Sequence, residues 1–240
     1  MHSEKLSQEY WEQVPHSELP NYGTVEKTAG DLEALRRILA PTDRILDLGC
    51  GWGRITFALA ANGYDVTGIY LSENLISYAR GHAAEIGSES QFDVGSMMSI
   101  PHPDESFDKV ICLWGAFNHL LTLPDQITAF NEMYRVLKAD GLTFIEMGNG
   151  ERKKYRQIIE STGSGHDNRV WNSQFKEGAL PNVIYIHDRH SLSRIAEKSH
   201  FERFHVKFQN INHKRRTVAY LFKGPGNAAG SAAQPLSNSL

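Results

Sequence analysis

The chain has 240 residues, 40% of them apolar, enough for one sizeable α/β domain or two small ones with a packed core. Its formal net charge is −3 and its pI about 6.4, so no global field draws it to nucleic acid. No apolar run approaches the ~18 residues of a membrane span, no apolar leader follows Met1, and Cys50 and Cys112 lack metal-ligand spacing. The expectation is a soluble cytoplasmic protein that binds neither nucleic acid nor membrane.

Residues 1–36 are polar with isolated aromatics, Tyr10, Trp11 and Tyr22. Leu32, Leu35 and Leu39 then recur at helical spacing until Pro41. This segment reads either as a helix on a sheet edge or as a lid. A strand over 43–48 breaks into three glycines on alternate positions, Gly49, Gly51 and Gly53, and an apolar-periodic segment follows over 55–61. That pattern is a buried parallel strand, a tight turn and a helix start. Glycine lets the backbone approach a ligand and adopt positive φ, and the helix N-terminus behind it offers free N–H groups.

Residues 65–69 read as a second strand. Ser72 caps a helix with Leu75, Ala79, His82 and Ile86 on its apolar face, ending at Gly87. A third strand covers 91–94 and a fourth 107–113. Thr122, Pro124 and Asp125 open a helix carrying Ile127, Phe130, Tyr134 and Leu137 on one face. Asp140-Gly141 turns into a fifth strand over 142–147. Repeated βα units at this spacing predict a doubly wound parallel sheet with its ligand edge at the strand C-termini.

Residues 150–186 break the rhythm, with Trp171, Phe175 and Tyr185 scattered among glycines and charges. An insertion of this length predicts a substrate lid. Asp188 or Ser191 caps a further helix, and strand-like runs over 204–208 and 217–222 predict an antiparallel hairpin. From 224 the Gly, Ala, Ser, Pro and Asn composition predicts a disordered tail. The expected organisation is one domain over 1–223, with an N-terminal lid (1–36), a binding core (37–149), a lid insertion (150–186) and closing core elements (187–223). The basic clusters Arg152-Lys153-Lys154 and Lys214-Arg215-Arg216 read as solvated faces, with a phosphate-bearing substrate as the rival reading.

Asp47-Leu48-Gly49-Cys50-Gly51-Trp52-Gly53 resembles motif I of the class I S-adenosylmethionine (SAM) dependent methyltransferases. Phe107-Asp108 and Arg135-Val136-Leu137-Lys138-Ala139-Asp140-Gly141 also resemble recurring segments of that family, although Ala-Asp-Gly stands where Pro-Gly-Gly is usual. The likeness covers 40–150 well and 187–223 loosely. It implies a mostly parallel seven-stranded sheet with a C-terminal antiparallel hairpin, SAM as cofactor and S-adenosylhomocysteine (SAH) as product. By similarity, backbone around Gly49 and Gly51 would hold the methionine part, Asp47 would orient its ammonium group through water, and Cys50 and Gly53 would be further cofactor contacts. Tyr70, Leu71, Ser96, Met97, Leu113 and Tyr22 are the further candidate cofactor contacts, with Tyr70 at the ribose position and Ser96 at the adenine position. Two positions depart from the pattern: Tyr70 stands where a ribose-binding acid is usual, and Ser96 where an Asp often faces adenine. A phenol accepts less well than a carboxylate, so a member with altered or impaired SAM use is the alternative.

Methyl transfer from a sulfonium needs alignment, worth ~7–11 kcal/mol of barrier. It needs a base only if the acceptor keeps its proton. His119, just past strand 4, is the candidate base; the rival reading has it opening the next helix. Trp114, Asn118, Trp171 and Tyr185 are the candidate contacts to a small-molecule acceptor at O or N. His187 and His190, at i and i+3, lack a third ligand, so no metal is expected. A nicotinamide dehydrogenase is the remaining rival, and Arg54 at the place of its third glycine argues against it.

Overall fold

The computed structural model describes residues 3–15, 25–161, 168–171 and 183–224. Its strands are β1 (Arg44–Leu48), β2 (Asp65–Tyr70), β3 (Gln91–Val94), β4 (Phe107–Cys112), β5 (Leu137–Gly148), β6 (Arg169–Trp171), β7 (Val183–Tyr185), β8 (Arg203–Ile211) and β9 (Lys214–Phe222). Its helices are α1 (Ser3–Trp11), α2 (Val25–Leu35), α3 (Arg54–Ala60), α4 (Glu73–Ile86), α5 (Leu123–Val136), α6 (Lys153–Ser161) and α7 (Arg189–Ala196), with a 3-10 helix at Ala116–His119. The main sheet has seven strands in the order β3-β2-β1-β4-β5-β9-β8. β1 to β5 pair in parallel, and β9 runs antiparallel to both β5 and β8. The α/β sheet with its C-terminal hairpin is therefore as the resemblance implied. Strand order reverses between β1 and β4, and that switch point is where such sheets bind ligands. Inside the insertion, β6 and β7 pair as a separate ribbon.

Alternation along the central strands divides the core. Leu46, Val110, Ile145 and Ala219 join a cluster with Phe130 of α5 and Leu192 of α7. Ile45, Ile111, Phe144 and Val218 join another with Leu35 of α2 and Leu59 of α3. Both faces are covered by helices, which is why these strands are apolar on both sides. Ser72 caps α4 by accepting from Leu75 N at 3.2 Å, and Gly87 ends it at φ 63°. Thr122 caps α5 by accepting from Asp125 N at 3.3 Å, and Asp188 caps α7 in a capping box with Ser191.

Two helices present a face shifted from the expected one. On α4, Leu75, Ile76, Ala79 and Ala83 are buried while Ile86 is exposed. On α5, Gln126, Ala129, Phe130, Met133 and Val136 are buried, and Ile127 and Tyr134 only flank them. Small residues admit closer approach of helix to sheet, and the larger side chains splay to the margin. The other recurring segments serve the scaffold. Asp108 accepts from Arg44 N at 2.9 Å and from Lys138 Nζ at 2.8 Å, joining β4 to β1 and to the start of β5. Arg135 donates to the carbonyls of Ile100 and His102, holding the β3–β4 loop.

Candidate functional site

β1 delivers the chain into a turn that β2 anchors: Gly49 N and Cys50 N both donate to Ile69 O, at 2.8 and 3.1 Å. Gly49, Gly51 and Gly53 all have positive φ, at 87°, 59° and 92°, for different reasons. A Cβ on Gly49 would lie 2.4 Å from Ala116 Cβ, and one on Gly53 2.7 Å from the Phe92 ring. Those two are demanded by protein packing. A Cβ on Gly51 would meet nothing within 4 Å, so this glycine leaves open space where a ligand can approach the backbone.

The cavity beside this turn is lined by Leu48, Gly49, Ile69, Tyr70, Leu71, Gly95, Met97, Ala116, His119 and Leu120. These residues stand at the C-terminal ends of β1 and β2, after β3, and on the 3-10 helix beyond β4. Helix α1 supplies the remaining wall through Glu4 and Ser7. Ser96 Oγ donates to the Glu4 carboxylate and accepts from Met98 N at 2.8 Å. Trp11 packs edge-on against both Tyr70 (6.1 Å between centroids) and His119 (6.3 Å). With α1 in place the free space is about 20 Å³, room for one water. With α1 in this position nothing larger than a water fits there.

Burial sets the electrostatics. Asp47, 3% exposed, is raised to about 6, chiefly by desolvation, although Thr56 Oγ1 donates to it at 2.7 Å and Arg54 favours its charge. A carboxyl so placed gains from a cation nearby. Desolvation lowers His119 to about 4, so its imidazole is neutral at physiological pH. Burial pushes the Tyr70 phenol and the Cys50 thiol well above their usual ranges, and Cys112 to about 12, so neither thiol is an ionised nucleophile near neutrality.

The remaining candidates are dispersed. Asp47 stands behind the cavity wall against Thr56, and the Cys50 side chain packs against Gly68. Leu113 faces the α2–α3 side of the sheet, in the cluster with Leu35 and Ile55. Trp114, at φ 56°, donates its backbone N–H to Glu146 Oε2 at 2.8 Å and its indole N–H to Asp31 Oδ2 at 2.6 Å. The Arg54 guanidinium lies over its ring at 4.7 Å. Asn118 keeps a buried Oδ1 with no hydrogen-bond partner among the described residues. The Tyr185 ring lies 4.6 Å from that of His187. His187 is fully buried and lowered to about 3 by desolvation; Nδ1 meets Ser191 Oγ at 3.3 Å, and Nε2 has no partner among the described residues. Tyr22, Phe175 and the tail from 225 lie outside the described residues, as does the Trp171 side chain.

Cavity residues missed from sequence are Glu4, Ser7, Leu48, Ile69, Gly95, Ala116 and Leu120. Glu4 and Ser7 carried a usable signal: at i and i+3 they share one helix face, which Tyr10 and Trp11 continue. Gly95, directly after a strand, carried another.

Residues 45–141 match a family model described as "Methyltransferase domain". The chain is 39% identical over 107 residues to YqeM of Bacillus subtilis (strain 168), covering 43% of this chain and 42% of that one. It is 37% identical over 102 residues to 27-O-demethylrifamycin SV methyltransferase of Amycolatopsis mediterranei (strain S699), covering 41% of this chain and 36% of the relative. The matches thus span under half the length of either relative. In fold, the chain resembles a SAM-dependent methyltransferase structure from Methanosarcina mazei, with a TM-score of 0.67 at 22% identity, covering 79% of this chain and 96% of the other. The glycine turn, the strand order and these matches agree: over residues 45–141 the chain is similar to a methyltransferase domain, on the fold of the SAM-dependent methyltransferases.

Proposed function

We propose that this protein transfers a methyl group from SAM to an O or N atom of a small molecule by in-line displacement. The observation that carries the reading is Gly51: its left-handed backbone opens onto empty space beside a cavity walled by the ends of β1 and β2 and by His119. When bound, SAM supplies an electrophilic methyl on a sulfonium. In this reading Gly49 and Gly51 hold its methionine part by backbone contact. Asp47 favours the ammonium group through intervening water, and a nearby cation in turn favours the ionised Asp47. Tyr70, Leu71, Gly95 and Met97 enclose the nucleoside.

His119 would accept the proton of a hydroxyl acceptor; its imidazole is neutral at physiological pH and so is in the basic form. Asn118 Oδ1 and His187 Nε2 are buried polar atoms that an acceptor could satisfy. A small-molecule acceptor is also consistent with the relative named for 27-O-demethylrifamycin SV. Residues 3–15 would act as a lid that excludes water during transfer. The test is calorimetry with SAM, SAH and NAD, followed by mass-spectrometric screening of metabolites for a gain of one methyl. Binding of SAM and SAH but not NAD, with a methylated product, is the expected result. NAD binding, or no binding of SAM, would overturn it.

A further inference from the structure

A second opening lies on the same edge of the sheet, beyond the end of β5. It is an open cleft of about 530 Å³ lined by Asn149, Glu151, Arg152, Arg189, Phe208, His213, Lys214 and Arg215. Three separated segments build it: the turn after β5, the first residue of α7, and the β8–β9 hairpin. Because β9 runs antiparallel to β5, its start stands beside the end of β5.

The cleft is strongly basic in a chain whose net charge is −3. Arg189 Nε donates to Glu151 Oε1 at 2.8 Å, and that pair is the cleft's own neutralised charge. Among the described residues, Arg152, Lys214 and Arg215 have no acidic partner within ion-pair distance. Two of the guanidiniums are positioned by one ring: Arg215 Cζ lies 4.1 Å from the Phe208 centroid, and Arg189 Cζ lies 4.3 Å from it. A guanidinium held over an aromatic face keeps its N–H edge available to an oxyanion; for Arg215 that edge meets no acid among the described residues, while Glu151 takes that of Arg189. Like charges collected around a concave surface repel each other unless an anion offsets them.

We propose that this cleft binds the phosphate-monoester tail of the methyl acceptor. The assignment rests on the methyl-transfer reading and deepens it. A phosphate monoester carries about −1.5 to −2 charge at pH 7 and three acceptor oxygens, which suits three unpaired cations better than a single carboxylate does. Spacing sets the acceptor's length. His119, the candidate base for the acceptor atom, follows β4, and the cleft sits at β5 and β9, one to two strands away at about 4.8 Å each. The acceptor atom and its phosphate are therefore separated by roughly 5–10 Å across the sheet. A nucleic-acid backbone would call for a basic face extending past this single cleft.

The experiment uses the full chain saturated with SAH, at fixed ionic strength, titrated calorimetrically with phenyl phosphate and with benzoate. Phenyl phosphate is expected to bind at least tenfold more tightly than benzoate. Arg215→Gln should weaken phenyl phosphate at least tenfold, and Phe208→Leu several-fold, with SAH affinity unchanged in both. Glu151→Gln should strengthen it, because Arg189 is then released to the ligand. Equal binding of the two probes, or phosphate binding indifferent to Arg215 and Glu151, would overturn the proposal while SAH binding kept the methyl-transfer reading. Arg215-dependent phosphate binding in a chain that does not bind SAH would overturn the assignment of the cleft to a methyl acceptor.

Discussion

Glu12 and Asn74 hold the two sides of the cavity together. The Glu12 carboxylate accepts from the backbone N–H of Glu73 at 2.8 Å and of Asn74 at 3.1 Å, and Asn74 Nδ2 donates back to Val14 O at 3.3 Å. A carboxylate from the α1 segment thus satisfies free donors at the N-terminus of α4, where negative charge is favoured. Glu12→Ala should cost about 0.5–2 kcal/mol of this capping. Its expected signature is faster amide exchange over residues 3–15, unchanged exchange in β1, and a higher SAH association rate. Unaltered exchange and association would show that the Glu12 contact does not govern access.

The three glycines of the turn should separate under substitution. At Gly51 a methyl meets no atom, so Gly51→Ala costs only the left-handed strain of an L-residue, about 1–2 kcal/mol, while SAM binding is lost. Gly49→Ala and Gly53→Ala add collisions with Ala116 and Phe92 and should destabilise more. Thermal melts with SAH titrations check this; equal loss of stability at all three positions would refute the division.

His119 and His187 make stability depend on pH. Their folded-state values, about 4 and about 3, lie below the ordinary 6.5, so the unfolded chain binds more protons between those limits. Stability is full above pH 6.5 and falls as pH drops toward 4 and then 3. His187→Phe should flatten the melting temperature against pH over that window. His119→Ala should lower turnover ~10²–10⁴-fold with SAH affinity nearly intact, and the acid limb of the wild-type rate should lie near 4, not 6.5. A loss under tenfold would mean another base, or an amine acceptor already free of its proton.

Tyr70 is buried at the end of β2, packed against Trp11 and grouped with Leu75 and Ile76. Tyr70→Asp should lower the stability of the free chain, because a carboxylate is left without a partner in an apolar site. It should also tighten SAM at least tenfold, ~1.4 kcal/mol, since the ribose hydroxyls can both donate to it. Weaker SAM binding in this variant would show that the tyrosine is an adapted part of the site.

Local signals carried the sheet and its turn. Ser72, Gly87 and Thr122 act through neighbours within four residues, and the glycine triplet is a contiguous pattern, so they were legible in the chain. Helix faces were less so: Ile86 and Ile127 are large and apolar, yet Ala83 and Ala129 pack closer to the sheet. The anchoring of Trp114 was illegible for a different reason. Its indole is held by Asp31, 83 positions away, and no local pattern marks that pairing. The basic cleft was equally illegible, because residues near 150, 189 and 214 meet only through the antiparallel return of β9.

Asp31 holds Trp114 and Arg54 on one oxygen, and on the other accepts from Asn212 Nδ2 at 2.6 Å, across 181 positions. Asn212 sits in the β8–β9 turn at φ 54°. The carboxylate beside the glycine turn therefore gains its last donor only from the final hairpin. During synthesis the stretch 45–141 can collapse while that hairpin is still inside the ribosome, but Asp31 stays incompletely bonded until residue 212 emerges. The late arrival of so distant a contact predicts slow folding with high contact order, with the cofactor edge completed last.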